Sequence, residues 1–300
     1  MLQAITEDFQ QLANWDVHHE FRCDFHLPSD FPWPSLDSSS LGSVPSKGSF
    51  SQWIRSFDAI FLIAPETAGI LYQLAKAVHD AGGKLIGSSP DSIRKTADKK
   101  LLADYWLERG VPTPPTWIWG SEPANLFPVI YKERASCGSD GFHIVSSQQD
   151  YLTILQKESS AQIKPDRIVQ PYLEGIHASV SLLIGPKETI PLLAGEQLFT
   201  KDHQYSGGNI PLNPPLSQRA IALALAAVTG ITGLQGFVGL DMILGKTDYV
   251  LEINPRLTSS YLGLRQIAKF NLAEAILEVA SGEQIPSLLW QEEDITFQVL

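Results

Sequence analysis

The sequence predicts an α/β protein built as a small parallel α/β domain followed by a larger domain of mixed helix and sheet. Two observations support this class. Near the start, a continuous apolar run over 58–64 precedes a helical segment and a second short apolar run, which is typical of a βαβ unit. Beyond residue 97, short β-rich runs alternate with only a few helices. We therefore predict domains at 1–97 and 98–300.

Composition limits the class of partner. The chain has 300 residues, 44% of them hydrophobic and 18% charged, which is ordinary for two globular domains. A formal charge of -11 without a run of lysine or arginine argues against nucleic acid or an anionic membrane as a partner. Cys23 and Cys137 do not form a CxxC motif, and we find neither a signal segment nor an apolar run of membrane-spanning length. We predict a cytoplasmic protein that binds small molecules.

The first domain is predicted element by element from periodicity and breakers. A helix is expected over 3–14, a strand over 17–25, and a loop over the Pro/Ser/Gly-rich stretch 28–49. The buried strand over 58–64 leads to a helix over 67–81, which Gly82 and Gly83 end, and then to a short strand over 84–87.

The second domain begins with a connecting helix over 98–109, which Gly110 ends. The same patterns predict strands over 129–132, 142–145, 167–171 and 179–184, and helices over 149–157, 217–229 and 272–281. The stretch 196–216 is long and irregular in pattern. We favour it as a cover over an acceptor site, and a plain surface connection is an equal alternative.

The most informative segment is a predicted hairpin, in which strands over 237–244 and 249–254 flank a four-residue loop. If Leu244 pairs with Tyr249, Asp241 lies opposite Glu252, and Asn254 falls on the face of Glu252 because side chains alternate with a period of two. Three oxygen-bearing side chains then converge on one face.

Facing carboxylates about 5 Å apart repel by roughly 3 kcal/mol at an effective dielectric of about 20, so a cation is expected between them. Hard oxygen ligands favour Mg²⁺ shared with phosphates. The alternative is a solvated surface hairpin. Against that alternative, the opposite face carries apolar side chains, namely Val238, Leu240, Met242, Tyr249, Leu251 and Ile253.

Two segments suggest a nucleotide site. The loop over 133–141 contains glycine and serine and joins two predicted strands, so its N–H groups could line a phosphate beside Lys132, although it does not match the Walker A motif. An ordinary hairpin loop with an edge lysine is the alternative. In Ile168 to Gly175, Pro171 must lie at an edge or where the strand changes course, which leaves backbone groups for a planar ligand.

Taken in order, Asp98-Lys99, Lys132 with its loop, Gln170-Pro-Tyr-Leu-Glu-Gly175 and Asp241 with Glu252-Ile-Asn-Pro-Arg256 make the chain resemble the ATP-grasp superfamily. The resemblance spans most of Ile93 to Tyr261. It implies an ATP-grasp fold preceded by a small α/β domain. It also implies ATP-dependent phosphorylation of a carboxylate and transfer of the acyl group to an amine or another nucleophile.

The resemblance implies site residues. Phosphates would contact Lys99, Lys132 and a loop containing Ser136, Gly138, Ser139 and Gly141, and adenine would lie against Gln170, Pro171, Tyr172 and Leu173. His177 stands where many members place a ribose-binding Glu. Mg²⁺, with Mn²⁺ as an alternative, would bind Asp241, Glu252 and Asn254, while Arg256 and Lys132 would be catalytic.

The sequences of these motifs are most similar to those of the tyramine-glutamate ligase group and its bacterial relatives. This resemblance implies a link to one-carbon cofactor biosynthesis of the methanofuran or methanopterin kind. Small carboxylate and amine substrates follow, and a homodimer is compatible with the resemblance. Because this group usually begins with a further strand, we expect the first domain to be truncated or reduced. An amino-acid or dipeptide ligase and a nucleotide-binding module without turnover stay open as alternatives.

Overall fold

The computed structural model describes residues 1–12, 54–123, 126–135, 142–159, 166–285 and 287–299. The strand predicted over 17–25 and the loop predicted over 28–49 lie outside these residues, as do Ser136, Gly138, Ser139 and Gly141. The helices are α1 (Leu2–Gln10), α2 (Ile70–Asp80), α3 (Pro90–Ala97), α4 (Lys99–Glu108), α5 (Gln148–Ser159), α6 (Pro214–Val228), α7 (Tyr261–Ile267) and α8 (Leu272–Ser281).

The strands are β1 (Trp117–Ile118), β2 (Val129–Glu133), β3 (His143–Val145), β4 (Arg167–Pro171), β5 (Ile176–Ile184), β6 (Thr189–Pro191), β7 (Gly195–Phe199), β8 (Tyr205–Ile210), β9 (Gly236–Leu244), β10 (Tyr249–Asn254) and β11 (Ile295–Gln298). They form two sheets. The small sheet has the order β1-β4-β2-β3, and the large sheet has the order β10-β9-β5-β7-β8-β11 with β6 paired to β5. The mixed α and β class predicted from the sequence is confirmed.

The N-terminal part keeps the predicted parallel pairing in reduced form. Within the described residues, Ile60 pairs with Leu85 in a single parallel bridge, and the Ile60 N–H donates to Lys84 O at 2.8 Å. Helix α2 connects the two segments and ends before Gly82, whose φ of 75° lies in the left-handed region. Helix α1 ends at Gln10, short of the predicted residue 14.

Helices cover both faces of the large sheet. On one face, α4 and α6 pack on Val180, Leu182, Leu240 and other apolar side chains. On the other face, α1, α7 and α8 cover only part of each strand. On β9 this second face therefore changes character along the strand: Phe237 is buried in the core with the helices, whereas Asp241 four residues later opens into a cleft. The second half of β9 can therefore contribute side chains to a ligand-binding site.

The stretch 196–216 does not have the irregular structure that the sequence predicted, although Gln197, Phe199 and Tyr205 from it line the cleft; its role as a cover over an acceptor site stays a prediction. About half of it lies in β7 and β8, which pair as an antiparallel hairpin, and β8 also pairs with β11. Gly207 and Gly208 made the stretch resemble a loop. An added Cβ at Gly207 would lie 2.0 Å from Phe297 O, so this glycine is required by the close approach of β11.

Candidate active site

The hairpin of β9 and β10 brings the three predicted oxygen ligands together, by a different register from the one predicted. Tyr249 pairs with Ile243 rather than Leu244. A bulge at Leu251 then restores the expected pairing of Asp241 with Glu252. The pairing that matters is confirmed, although the turn end was predicted wrongly.

The bulge also changes which side chains face the core. Val250 is fully buried with Leu240 and Met242, and Leu251 instead lines the cleft. The prediction that Leu251 belongs to the apolar face is therefore wrong, because the extra residue reverses the alternation before it.

Asp241 is the centre of a hydrogen-bond cluster. Asn254 Nδ2 donates to Asp241 Oδ2 at 3.0 Å, and Gln197 Nε2 donates to Asp241 Oδ1 at 2.8 Å. Burial and the facing Glu252 raise the pKa of Asp241 well above its usual range. A divalent cation between these two carboxylates would offset the repulsion that contributes to the raised pKa of Asp241, so the donor set fits Mg²⁺.

Glu252 lies in the opposite electrostatic situation. Burial would raise the pKa of Glu252, but the nearby Lys99 and Lys132 lower it to about 2. Lys99 Nζ lies 3.3 Å from Glu252 Oε2 and only 6% of its side chain is exposed. Lys99 is the first residue of α4, and its position is fixed by the preceding Asp98, whose carboxylate accepts from the Leu101 N–H and from Arg134.

Lys132 lies on β2 of the small sheet and faces this cluster across the cleft. Desolvation, together with the charge of Lys99, lowers the pKa of Lys132 to about 8, although Glu252 and Asp241 oppose the shift. An ammonium held without full hydration is well suited to a phosphate.

Arg256 closes one end of the cleft. Its Nε donates to Glu66 Oε2 at 2.8 Å, and its Nη1 donates to Leu257 O at 3.1 Å. Hydroxyl groups surround this end: Ser259 Oγ donates to Tyr205 OH at 3.0 Å, and Thr258 and Ser260 share a hydrogen bond of 2.7 Å.

At the other end, Gln170 is held by a relay of hydrogen bonds. Thr116 Oγ1 donates to Pro114 O at 3.0 Å, so toward Gln170 it can only accept, and Gln170 Nε2 donates to it at 2.8 Å. Pro171 is the last residue of β4, as its missing N–H predicted, and the Tyr172 N–H donates to Pro128 O at 3.0 Å. The Tyr172 N–H is thus already used by the protein.

Apart from Glu66 and Thr116, which lie behind the lining, the site side chains border one cavity of about 410 Å³ between the two sheets, a volume suited to a small ligand. The predicted residues that line it are Lys99, Lys132, Gln170, Pro171, Tyr172, Leu173, His177, Asp241, Glu252, Asn254 and Arg256. His177 packs against Phe199 with ring centroids 4.8 Å apart, and its burial lowers its pKa.

A family model described as an ATP-grasp domain matches residues 96–260, and a model described as a pre ATP-grasp 3 domain matches residues 24–93. The chain belongs to the ATP-grasp family.

Named relatives agree with this family. The chain is 30% identical over 232 residues to a tyramine–L-glutamate ligase of Methanocaldococcus jannaschii, which covers 77% of this chain and 65% of that protein. The corresponding ligase of Methanocaldococcus fervens is 29% identical over 235 residues, covering 77% and 69%. The chain therefore spans about two thirds of the length of these relatives.

Solved structures show the same fold. An ATP-grasp superfamily protein of Archaeoglobus fulgidus superposes with a TM-score of 0.64 and 26% identity, over 81% of this chain and 71% of that one. Biotin carboxylase of Campylobacter jejuni superposes with a TM-score of 0.66 at 21% identity, over 84% and 60%. The predicted ATP-grasp fold with a preceding α/β domain is confirmed, while the division at residue 97 stays a prediction.

Sequence reasoning missed several residues of this ATP-grasp cleft. Glu66 is paired with Arg256 across 190 positions, and Gln197 reaches Asp241 across 44. Thr116 orients Gln170 and was given no role. For Glu66 a signal did exist, because an acidic residue directly after a buried parallel strand lies where open α/β sheets bind ligands.

Among the described residues, no group of three or more His, Cys, Asp or Glu side chains is placed to hold a metal, so the candidate ion site consists of two carboxylates and an amide. In the same part of the chain, no helix has the length and apolar character that crossing a membrane requires.

Proposed function

We propose that this protein is an ATP-dependent ligase that joins a carboxylate to an amine through an acyl phosphate and releases ADP and phosphate. One observation carries the proposal. A single cleft places the pair Asp241 and Glu252 opposite Lys132 and beside Lys99, with Arg256 at its end. Phosphoryl transfer depends on this kind of positioned charge.

The roles proposed for the individual residues rest on the lining of the cleft and on the resemblance to the ATP-grasp family. Asp241, Glu252 and Asn254 would hold Mg²⁺, which would supply positive charge to the terminal phosphates. Lys132 and Lys99 bind the same phosphates from the other side, together with the loop of Ser136, Gly138, Ser139 and Gly141. Adenine lies between Gln170 and Leu173, and His177 borders the ribose.

The chemistry runs in two balanced steps. An oxygen of the substrate carboxylate attacks the γ-phosphorus, the bond to the bridging oxygen breaks, and ADP leaves with that electron pair. The amine then attacks the acyl carbon, phosphate leaves with the electrons of the C–O bond, and the amine proton passes to solvent. Arg256 carries its guanidinium at the end of the cleft where charge accumulates on the transferred group. The steps require no cysteine or serine nucleophile.

The substrate class follows from the relatives. Since both curated relatives named above are tyramine–L-glutamate ligases, we propose an amino acid as the carboxylate and a small amine as the acceptor, and a place in one-carbon cofactor biosynthesis. Use of Mn²⁺, a homodimeric assembly and a cytoplasmic location stay predictions.

The test is formation of a hydroxamate. Protein incubated with Mg-ATP, L-glutamate and hydroxylamine should form a hydroxamate with an equal amount of ADP, and a panel of other acids and amines would define the pair. Lys132→Ala should abolish the product, whereas Lys246→Ala, at an exposed position in the hairpin loop, should not. Release of AMP, or product formation by the Lys132 variant at the wild-type rate, would contradict the proposal.

A further inference from the structure

Glu66 lies in the N-terminal part of the chain, yet its carboxylate contacts Arg256, which lines the cleft. It follows the segment that pairs with Leu85 and precedes α2, within the region matched by the pre ATP-grasp model. Its Oε2 accepts from Arg256 Nε at 2.8 Å, and Arg256 belongs to the region matched by the ATP-grasp model. One ion pair therefore joins the two parts of the chain at the site.

The backbone that carries Glu66 is tightly fixed. Glu66 O accepts from the Gly69 N–H at 3.0 Å, and Pro65 O accepts from the Leu71 N–H at 3.0 Å. Between these bonds Ala68 has a φ of 54°, in the left-handed region that a residue with a Cβ rarely adopts. Backbone strain of this kind is found preferentially at functional sites.

The pairing itself is poorly explained by stability. Glu66 is 5% exposed and Arg256 14% exposed, so both groups lose hydration. Glu66 Oε1 is buried without a hydrogen-bond partner in the part of the chain that the structure describes. A pair built for stability would use both carboxylate oxygens in a bidentate contact. The contact from Nε to Glu66 Oε2 and the bond from Nη1 to Leu257 O together fix the plane of the guanidinium.

Glu66 is also coupled to the proposed metal ligands without touching the cavity. Arg256 lines the cleft and Glu66 does not. Burial raises the pKa of Glu66, Arg256 lowers it, and Glu252 raises it again. Glu66 therefore lies near the charged groups of the site, and its contact with a residue that lines the cleft is the one to Arg256.

We propose that Glu66 is a positioning residue, which holds the Arg256 guanidinium in the orientation required for phosphoryl transfer. The inference rests on the proposed function. It assigns the N-terminal domain a direct part in the reaction, because that domain supplies the group that orients the arginine.

The test compares Glu66→Gln and Glu66→Asp with a matched control. Asp8 forms another buried carboxylate pair between the two parts of the chain, through Arg265, away from the cleft. For Glu66→Gln we expect ADP release to fall by about 100-fold, with the KM for ATP and the Kd of Mg-ADP within about twofold of wild type. Glu66→Asp should recover part of the rate, and Asp8→Asn should lower Tm while leaving the rate unchanged.

A second readout does not need turnover. Modification by phenylglyoxal, followed by peptide mass spectrometry, should proceed several-fold faster at Arg256 in Glu66→Gln than in wild type or Asp8→Asn. If wild-type protein shows no ADP release with any acid and amine, the proposed function fails while this measurement still tests the contact. An unchanged rate of Arg256 modification, or a loss of activity in Glu66→Gln that matches Asp8→Asn, would overturn the positioning role.

Discussion

The two walls of the cleft carry opposite charge and are built differently. The wall from the large sheet presents Asp241 and Glu252 on adjacent strands joined by a four-residue loop. The wall from the small sheet presents Lys132 on β2, between strands β3 and β4 that come from later in the chain. One wall is thus a local structure, and the other is assembled from distant segments.

Neither wall is electrostatically stable by itself. Burial and Glu252 raise the pKa of Asp241, while burial lowers the pKa of Lys132 to about 8. Each shift marks a charged form that is disfavoured in place. Glu252 and Asp241 on the opposite wall oppose the shift of Lys132, and Lys132 in turn lowers the pKa of Glu252. The two walls therefore depend on one another, and a bound Mg-nucleotide would compensate the unfavourable charge on each of them.

The largest effect is expected from Glu252→Gln. The change leaves Lys99 and Lys132 close to each other without the carboxylate that compensates them. Breaking such a buried ion pair costs about 3 kcal/mol of stability, so the urea concentration at the unfolding midpoint should fall sharply. Because the metal site also loses a ligand, the rate of ADP release should fall sharply as well. Glu293→Gln, at an exposed position, is the control. Wild-type stability in the Glu252 variant would show that the walls are independent.

How much the sequence predicts follows the same division. The carboxylate wall was predicted because a period of two within one hairpin places side chains without any long-range information. The pairing predicted next to the turn was wrong by one residue, and the bulge at Leu251 restores the predicted pairing of Asp241 with Glu252. The hairpin of β7 and β8 was missed because Gly207 and Gly208 resemble a loop until β11, about 90 residues later, is packed against them.

The electrostatic contacts were the least predictable part. Arg256 was named from its motif, but its partner Glu66 lies 190 residues away and no local pattern connects them. No sequence motif around Thr116 indicates a role for it, and only the fold shows that it orients Gln170. Pairwise contacts of this kind depend on the packing of the two parts of the chain, which periodicity does not encode.

Lys132→Met tests the small-sheet wall. Loss of a charge-assisted hydrogen bond to a phosphate should weaken binding of a non-hydrolysable ATP analogue by about 1.5 to 3 kcal/mol. Because the pKa of Lys132 is about 8, wild-type affinity should decline as pH rises above 8, and the variant should lack that decline. Calorimetric titration at pH 7 and 9 would measure both, with Lys246→Met as the control. A pH response retained in the variant would assign the titration to another group.

Asp241→Asn should affect stability in the opposite direction from Glu252→Gln. A carboxyl whose folded pKa is raised loses stability as pH rises from its usual value near 3.8 through the raised one, so at neutral pH the metal-free wild type carries this penalty. Glu252, with a pKa lowered to about 2, instead contributes stability above 4.5 that is lost as pH falls. We expect Asp241→Asn to abolish turnover. The same change should raise the free energy of unfolding by about 1 kcal/mol, or Tm by a few degrees.

Saturating Mg²⁺ sharpens this result. The ion should raise the Tm of the wild type and leave the variant unchanged, because only the wild type has the complete ligand set. Calorimetric scans with and without Mg²⁺ would show the difference. A variant that is less stable than metal-free wild type at pH 7 would mean that the hydrogen bonds from Gln197 and Asn254 outweigh the repulsion.

The smallest effect concerns the adenine end, where a neutral relay rather than a charge is expected to act. Thr116 donates to Pro114 O, so it accepts from Gln170 Nε2. The Gln170 Oε1 is then the amide atom that can accept a hydrogen bond from a ligand. An acceptor there favours the amino group of adenine over the oxo group of hypoxanthine. Thr116→Val removes the relay and allows the amide to rotate, so the preference for ADP over IDP should fall by about 1 kcal/mol, or roughly fivefold.

Thr113→Val is the matched control for this last measurement. Thr113 lies in the same segment, and its hydroxyl is buried without a hydrogen-bond partner among the described residues. Its replacement removes an equivalent group without touching Gln170, so the ratio of the two dissociation constants should stay at the wild-type value. If both variants change that ratio equally, the segment acts through its packing, and the small-sheet wall would then select its ligand by shape and charge rather than by an oriented amide.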